Sequence, residues 1–341
     1  MAALAGLAGG MALGLAARLG RFCVMGAIED AALGGDTGRL RMLLLAGAAA
    51  IGLTALLATA EMVDPAATLY LRLPWSPLGA VLGGLMFGFG MAQVGTCGFG
   101  ALARAGSGDL RSVFVVIVVG IFGYAVLVGP LAGLRLALVP PEGAAPQAMS
   151  AWLGARLGLG PLLPALAIAG GLAAAALLQA RGALAPRQAA LGLGVGATVA
   201  LAWAATAHAG RDGFDMVAVE GFSFVAPLGE TLHLAMAGDA AGVLDFSVAA
   251  VLGVVLGSAL GSAIRGEFHW EACDDARELR RQLLGAALMG VGGVLALGCS
   301  IGQGLSALSV LSPSAPVVMA AIFVGARIGL YLLVERTTRV S

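Results

Sequence analysis

What most constrains this chain is a succession of nine apolar stretches, most of them near the length of a bilayer span. They run approximately over Ala2–Gly20, Met42–Ala60, Leu78–Val94, Val113–Leu138, Gly160–Leu178, Gln188–Ala207, Leu244–Ile264, Leu283–Leu297 and Val317–Val334. A helix needs roughly 20 mostly apolar residues to cross the hydrocarbon core. Composition agrees: 60% of the 341 residues are hydrophobic and 11% charged, against about 25% charged in an ordinary soluble domain. A soluble enzyme and a disordered chain are excluded. With a formal net charge of zero there is no basic surface to neutralise phosphates, so nucleic acid is no partner. Scarce aromatics and absent alternation exclude an outer-membrane barrel. The expected fold is an all-α polytopic membrane protein, one transmembrane domain over residues 1–341, with the lipid bilayer as its solvent.

The arginines orient it. All 19 basic residues are arginine, a background of base composition. Fourteen fall on the side where odd-numbered stretches end, among them Arg18, Arg21, Arg39, Arg104, Arg111, Arg181 and Arg339; four fall opposite, Arg72, Arg135, Arg156 and Arg211. The positive-inside rule then puts the N-terminus outside and the C-terminus in the cytoplasm. The acidic residues Asp212, Asp215, Glu220, Glu230 and Asp239 fall outside. The first stretch has its first basic residue at Arg18, the wrong end for a secretory signal, and is expected to stay in the mature chain. Glycines four apart, as in Gly6–Gly10–Gly14 and Gly253–Gly257–Gly261, predict close helix packing in lipid.

One device repeats. A glycine-rich helix ends and a short glycine-broken stretch with one cysteine follows: Gly20-Arg21-Phe22-Cys23-Val24-Met25-Gly26, Gly95-Thr96-Cys97-Gly98-Phe99-Gly100, and Gly298-Cys299-Ser300-Ile301-Gly302-Gln303-Gly304. Each cysteine stands ten to twelve residues after a methionine, Met11, Met86 or Met289. A fourth copy, Glu220-Gly221-Phe222-Ser223-Phe224, has serine instead. The units cover about residues 1–60, 78–138, 188–264 and 283–336, with a lone helix over about 160–178 that inverts the second pair relative to the first. Inverted repeats whose broken segments meet near the midplane are a transporter architecture. We therefore expect re-entrant segments, Cys23 and Cys97 entering from the cytoplasm and Cys299 from outside.

These three cysteine runs, together with Gly221-Phe222-Ser223-Phe224 and Pro227-Leu228-Gly229-Glu230, resemble the YeeE/YedE family of bacterial thiosulfate transporters. The resemblance covers essentially the whole chain. It implies an hourglass-shaped inner-membrane protein whose narrow middle is lined by Cys23, Cys97 and Cys299. It also implies thiosulfate handed between those thiols, and a small cytoplasmic sulfurtransferase that receives the sulfur. Cys273 matches none of the family's motifs.

The residues suit such an ion. Thiosulfate is a dianion with a soft terminal sulfur, and a protonated thiol is a weak donor that contacts it without trapping it. Apolar burial keeps a thiol protonated. Conduction needs several weak sites, and no arginine is expected at the constriction itself, near the cysteines, where it would bind a dianion too strongly. Backbone N–H groups around Gly95, Gly98, Gly298 and Gly302 can form anion-holding nests. Gln303 either donates to an oxyanion or makes a capping or interhelical bond. Arg21, Arg39, Arg104 and Arg111 would gather anions at one mouth, Arg211 at the other. Arg327, within the last stretch, is flagged as intramembrane charge. No histidine has zinc-ligand spacing to a cysteine, and no nucleotide-binding loop is present, so neither metal nor cofactor is expected. Another sulfur or selenium cargo remains open. A quinone-linked thiol oxidoreductase, the rival class, needs a pair of cysteines able to form a disulfide, and the sequence offers no Cys-x-x-Cys. The expected protein is a transporter rather than an enzyme.

Overall fold

The structure is a computed structural model and describes residues 1–139, 145–178, 185–212, 219–238, 245–271 and 275–338. Arg181, Asp215, Asp239, Cys273 and Arg339 lie outside the described residues, and so does Leu244, the first residue of one expected stretch. Among the described residues there are helices and two isolated bridges but no strand. In chain order the helices are α1 (Ala2–Gly20), α2 (Val24–Glu29), α3 (Gly38–Thr59), α4 (Leu69–Arg72), α5 (Pro77–Val94), α6 (Gly98–Ala105), α7 (Leu110–Leu127), α8 (Ala132–Leu138), α9 (Met149–Leu157), α10 (Leu162–Leu178), α11 (Pro186–Asp212), α12 (Ala226–Ala237), α13 (Phe246–Arg265), α14 (Ala276–Leu295) and α15 (Ser314–Thr338).

Among the described residues seven helices are long and apolar enough to cross a membrane, and eight if the bent pair α9–α10 counts as one span. Nine were expected, and the differences have local causes. The apolar run Val113–Leu138 is not one helix. Pro130 lacks an N–H and constrains the residue before it, so α7 stops at Leu127 and α8 restarts beyond. The lone helix is α10, 17 residues long, and α9, which precedes it, meets it at 117°. Arg41, nearly buried, donates its Nε–H to the Ala176 carbonyl at 2.8 Å, meeting the exposed end of α10 with a cation. In α14 the first two turns carry Arg277, Glu278, Arg280 and Arg281, so only its second half is apolar.

The four-residue glycine rows form the seams. Along α1 and α13, methyl groups on Gly6, Gly10 and Gly14 would strike the Phe246, Ala250 and Val254 carbonyls, while Gly253 and Gly257 meet Leu7 and Met11 in return. α5 meets α14 in the same way: a methyl on Gly292 would lie 2.6 Å from the Gly83 carbonyl oxygen. Gly88 abuts the Ile322 carbonyl on α15, and Gly192 abuts Met42 on α3 from α11. In lipid no hydrophobic force draws helices together, so backbone approach of this kind supplies the dispersion contacts that do.

At the arginine-rich end the 266–271 segment ties the helices. Glu271 accepts from Arg111 Nη2 at 3.2 Å, its amide donates to the Gly108 carbonyl at 3.1 Å, and the Leu110 amide donates to the Glu271 carbonyl at 3.2 Å. Arg111, expected at an anion-gathering mouth, is thus engaged by Glu271 and, at 3.5 Å, by Asp109.

Candidate functional site

Three chain reversals assemble the site. α1 closes on Arg21 in the left-handed region (φ 54°) and α5 on Gly95 (φ 78°). α14 runs into Leu297 (φ 55°) and Gly298 (φ 154°). A left-handed residue ends a helix by redirecting the chain, and glycine does so without a Cβ penalty. After each reversal a cysteine opens the next helical segment. Cys23 Sγ accepts the Gly26 N–H at 3.5 Å, Cys97 Sγ the Gly100 N–H at 3.4 Å, and Cys299 Sγ the Gly302 N–H at 3.3 Å. This is the capping role that serine or aspartate usually fills.

The third residue after each cysteine is glycine because a polar neighbour closes in there. A methyl on Gly26 would meet the Arg39 guanidinium, and one on Gly100 the Thr96 hydroxyl. On Gly302 it would lie 2.8 Å from the Tyr70 hydroxyl and 3.0 Å from Ser223 Oγ.

Cys97 and Cys299 are fully buried and Cys23 partly so; all three are free thiols. The Cys97 thiol neighbours Cys23 and Ser300, and the Cys299 thiol neighbours Ser223, which in turn neighbours the Tyr70 hydroxyl. Cys23 Sγ lies 3.9 Å from Thr96 Oγ1. Cys23 and Cys97, remote in sequence and expected to enter from the same side, are neighbours because α2 and α6 start side by side.

Two cavities approach this layer. One, of about 190 Å³ at the arginine-rich end, is lined by Cys23, Thr96, Gly95, Arg21, Arg39 and Arg104. Arginines thus border Cys23, against the expectation that none stands near the cysteines; Arg21 is close in sequence, and Arg39 and Arg104 are brought there by the fold. Arg39 is held by Asp30 at 3.1 Å, and Arg104 donates to the Gly95 carbonyl at 3.4 Å. The other cavity, of about 300 Å³, is lined by Tyr70, Ser223, Gly298, Arg135, Glu220 and Glu230. Arg135, not Arg211, is the arginine in its wall; Arg211 donates to the Glu61 carbonyl at 2.6 Å on the exposed surface. Neither wall includes Cys97 or Cys299. Phe224, whose backbone neighbours Cys299, belongs to a packed aromatic cluster, with Phe99–Phe224 ring centres 5.2 Å apart and Phe222–Phe246 also 5.2 Å. A larger cavity of about 470 Å³ between α3, α9 and α10 contains no cysteine.

Gln303, fully buried, donates Nε2–H bonds to the Ala296 carbonyl at 2.8 Å and the Leu297 carbonyl at 3.2 Å, and its Oε1 accepts from Ser314 Oγ at 3.3 Å. Its amide is bound to the end of α14. Gly98 is buried, yet a methyl on it would meet nothing within 4 Å, so there is space beside Cys97.

A sequence profile described as "Sulphur transport" matches residues 19–328, a span that contains all three cysteine turns. The chain belongs to this family. It is 28% identical over 321 residues to the thiosulfate transporter TsuA of Escherichia coli K12, covering 89% of this chain and 86% of that one. It is 25% identical over 324 residues to the thiosulfate transporter TsuA of Spirochaeta thermophila, covering 91% and 92%.

In this member of the sulphur transport family, sequence reasoning did not place Tyr70, Thr96 and Ser300 at the site. A usable signal existed for two of them, since Thr96-Cys97 and Cys299-Ser300 put a hydroxyl next to each buried thiol. Tyr70 sits on the four-residue helix α4 and carries no such mark. Arg327 lies on the exposed face of α15, away from the thiols. His233 stacks on Tyr124 at 5.1 Å. Among the described residues no group of three His, Cys, Asp or Glu could hold a metal ion.

Proposed function

We propose that this protein imports thiosulfate across the bacterial inner membrane, the ion passing along Cys299, Cys97 and Cys23 in that order. One observation carries the reading: three thiols, each seated at a helix start, span a packed layer between two cavities. Both relatives described above are thiosulfate transporters, which supports the choice of ion. The soft terminal sulfur of thiosulfate matches S–H donors, and a row of weak sites allows it to leave as well as enter. Backbone N–H groups around Gly95, Gly98, Gly298 and Gly302 offset the dianion's charge, while Gln303 holds the Cys299 turn in place.

The excess of arginines at one end supports a cytoplasmic Cys23 cavity, where Arg21, Arg39 and Arg104 draw the anion inward. A small sulfurtransferase that consumes thiosulfate there would keep the flow inward. The architecture is that of inverted repeats, with α1–α2–α3 answered by α11–α12–α13, and α5–α6–α7 by α14, the Cys299 segment and α15. The pairing of α1 with α13, α3 with α11, α5 with α15 and α7 with α14 supports it. Two cavities meeting a packed waist give the hourglass.

Labelled thiosulfate uptake in cells lacking other importers tests this. Cys97→Ala and Cys299→Ala should abolish uptake while the protein still reaches the membrane. Normal uptake by both variants refutes the relay.

A further inference from the structure

Ser300 is the buried hydroxyl of the Cys299 turn; it adjoins the Cys97 thiol but makes no well-formed hydrogen bond. The residue is 1% exposed, and its Oγ is sealed from solvent. Its neighbours on the same segment are satisfied: Ser306 Oγ donates to the Phe222 carbonyl at 2.7 Å and Ser309 Oγ to the Ser306 carbonyl at 2.7 Å. A buried polar group left unpaired carries a desolvation penalty, so its retention beside Cys97, near the space at Gly98, calls for a guest.

The same arrangement recurs on either side. Thr96 Oγ1 stands 3.9 Å from Cys23 Sγ, and Ser223 lies beside Cys299, next to the Tyr70 hydroxyl. Every thiol of the layer thus has a hydroxyl neighbour, supplied by a different part of the chain in each case.

We propose that Ser223, Ser300 and Thr96 form a second track parallel to the thiols, a set of binding positions for the oxygen atoms of a sulfonate-like group, with Ser300 at the centre. Thiols hold the soft sulfur end of the ion and hydroxyls its hard oxygen end. Such a doubled path favours an anion that carries both ends over sulfate, which lacks the first, and over simple sulfides, which lack the second. The inference rests on the transport reading above and specifies which groups of that site recognise which end of the substrate.

Ser300→Ala separates recognition from folding, because the hydroxyl makes no well-formed hydrogen bond to the protein and only adjoins the weakly bonding Cys97 thiol. The full-length variant, in proteoliposomes supplied with labelled thiosulfate, should show a KM raised about ten-fold, the effect of removing one hydrogen bond to a charged group. Its melting temperature in detergent should equal or exceed that of the unsubstituted protein. Ser300→Thr, which restores a hydroxyl, should recover affinity. Ser223→Ala and Thr96→Val should also raise KM. An unchanged KM in Ser300→Ala, or a raised KM accompanied by a lowered melting temperature, overturns the second track. Absence of thiosulfate uptake by the unsubstituted protein overturns the transport reading itself, an outcome distinct from either.

Discussion

Gln303 offers a prediction that discriminates between two roles for one side chain. Helices leave their last carbonyls without partners, and the Ala296 and Leu297 carbonyls at the end of α14 take theirs from Gln303 Nε2. Gln303→Leu keeps the approximate volume but removes both donors. The buried Ala296 carbonyl left unpaired costs about 1–3 kcal/mol, and the part-buried Leu297 carbonyl adds less. Ser314 Oγ loses an acceptor too, but its contact with Ser312 Oγ at 3.0 Å remains, so it adds little. The assay is unfolding in mixed detergent micelles beside thiosulfate uptake. A large loss of stability is expected, with uptake falling in step as the Cys299 turn loosens. If stability is retained while thiosulfate affinity alone collapses, the amide binds the ion directly and the clamp assignment is wrong.

Three further outcomes follow from the geometry. Oxidative cross-linking should join Cys23 and Cys97, block uptake, and be reversed by a reducing agent; Cys23→Ser should be immune, and a cross-link between Cys97 and Cys299 instead would contradict the neighbour assignment. Gly88→Val drives two methyl groups into the Ile322 carbonyl; the yield of monodisperse protein in detergent should drop several-fold, whereas Gly170→Val, with nothing within 4 Å, should leave it unchanged. His269 Nε2–H donates to Glu271 Oε1 at 2.7 Å, and that carboxylate raises the imidazole pKa. A raised folded pKa means the added hold on the 266–271 segment is complete below the ordinary histidine range of about 6.5 and fades as pH climbs through the folded value. Amide exchange at Glu271, corrected for intrinsic rate, should accelerate over that window and lose this step in His269→Gln.

Much of this was legible in the amino acids. Apolar length marked the spans because lipid leaves a helix few alternatives, and the boundaries of α1 agree with those read from sequence. Glycine rows signalled seams, though not which helices they join; that depends on three-dimensional register. The cysteine turns were visible as glycine-broken stretches, but the repeated Cys-x-x-Gly spacing that makes each sulfur a cap became meaningful only with the Gly26, Gly100 and Gly302 amides in view. Tyr70 and the Cys23–Cys97 contact were illegible for a simple reason. Each arises from segments far apart in the chain, and no local pattern encodes the meeting. The break before α8 was written in Pro130 and was overlooked because the flanking residues are so uniformly apolar. The π-helical stretch Gly302–Ala307 had no sequence signature.

The way the sulfurs are tethered has a further consequence. Each is fastened through a lone pair to an amide of its own turn, so the atom stays put when the passing guest departs, and its hydrogen is left to greet the next arrival. Serine could be tethered identically, as a hard counterpart in the same chair. Exchanging one for the other would leave the furniture standing and change only which visitors are welcome, so that cargo preference in such a protein can drift without the scaffold being rebuilt.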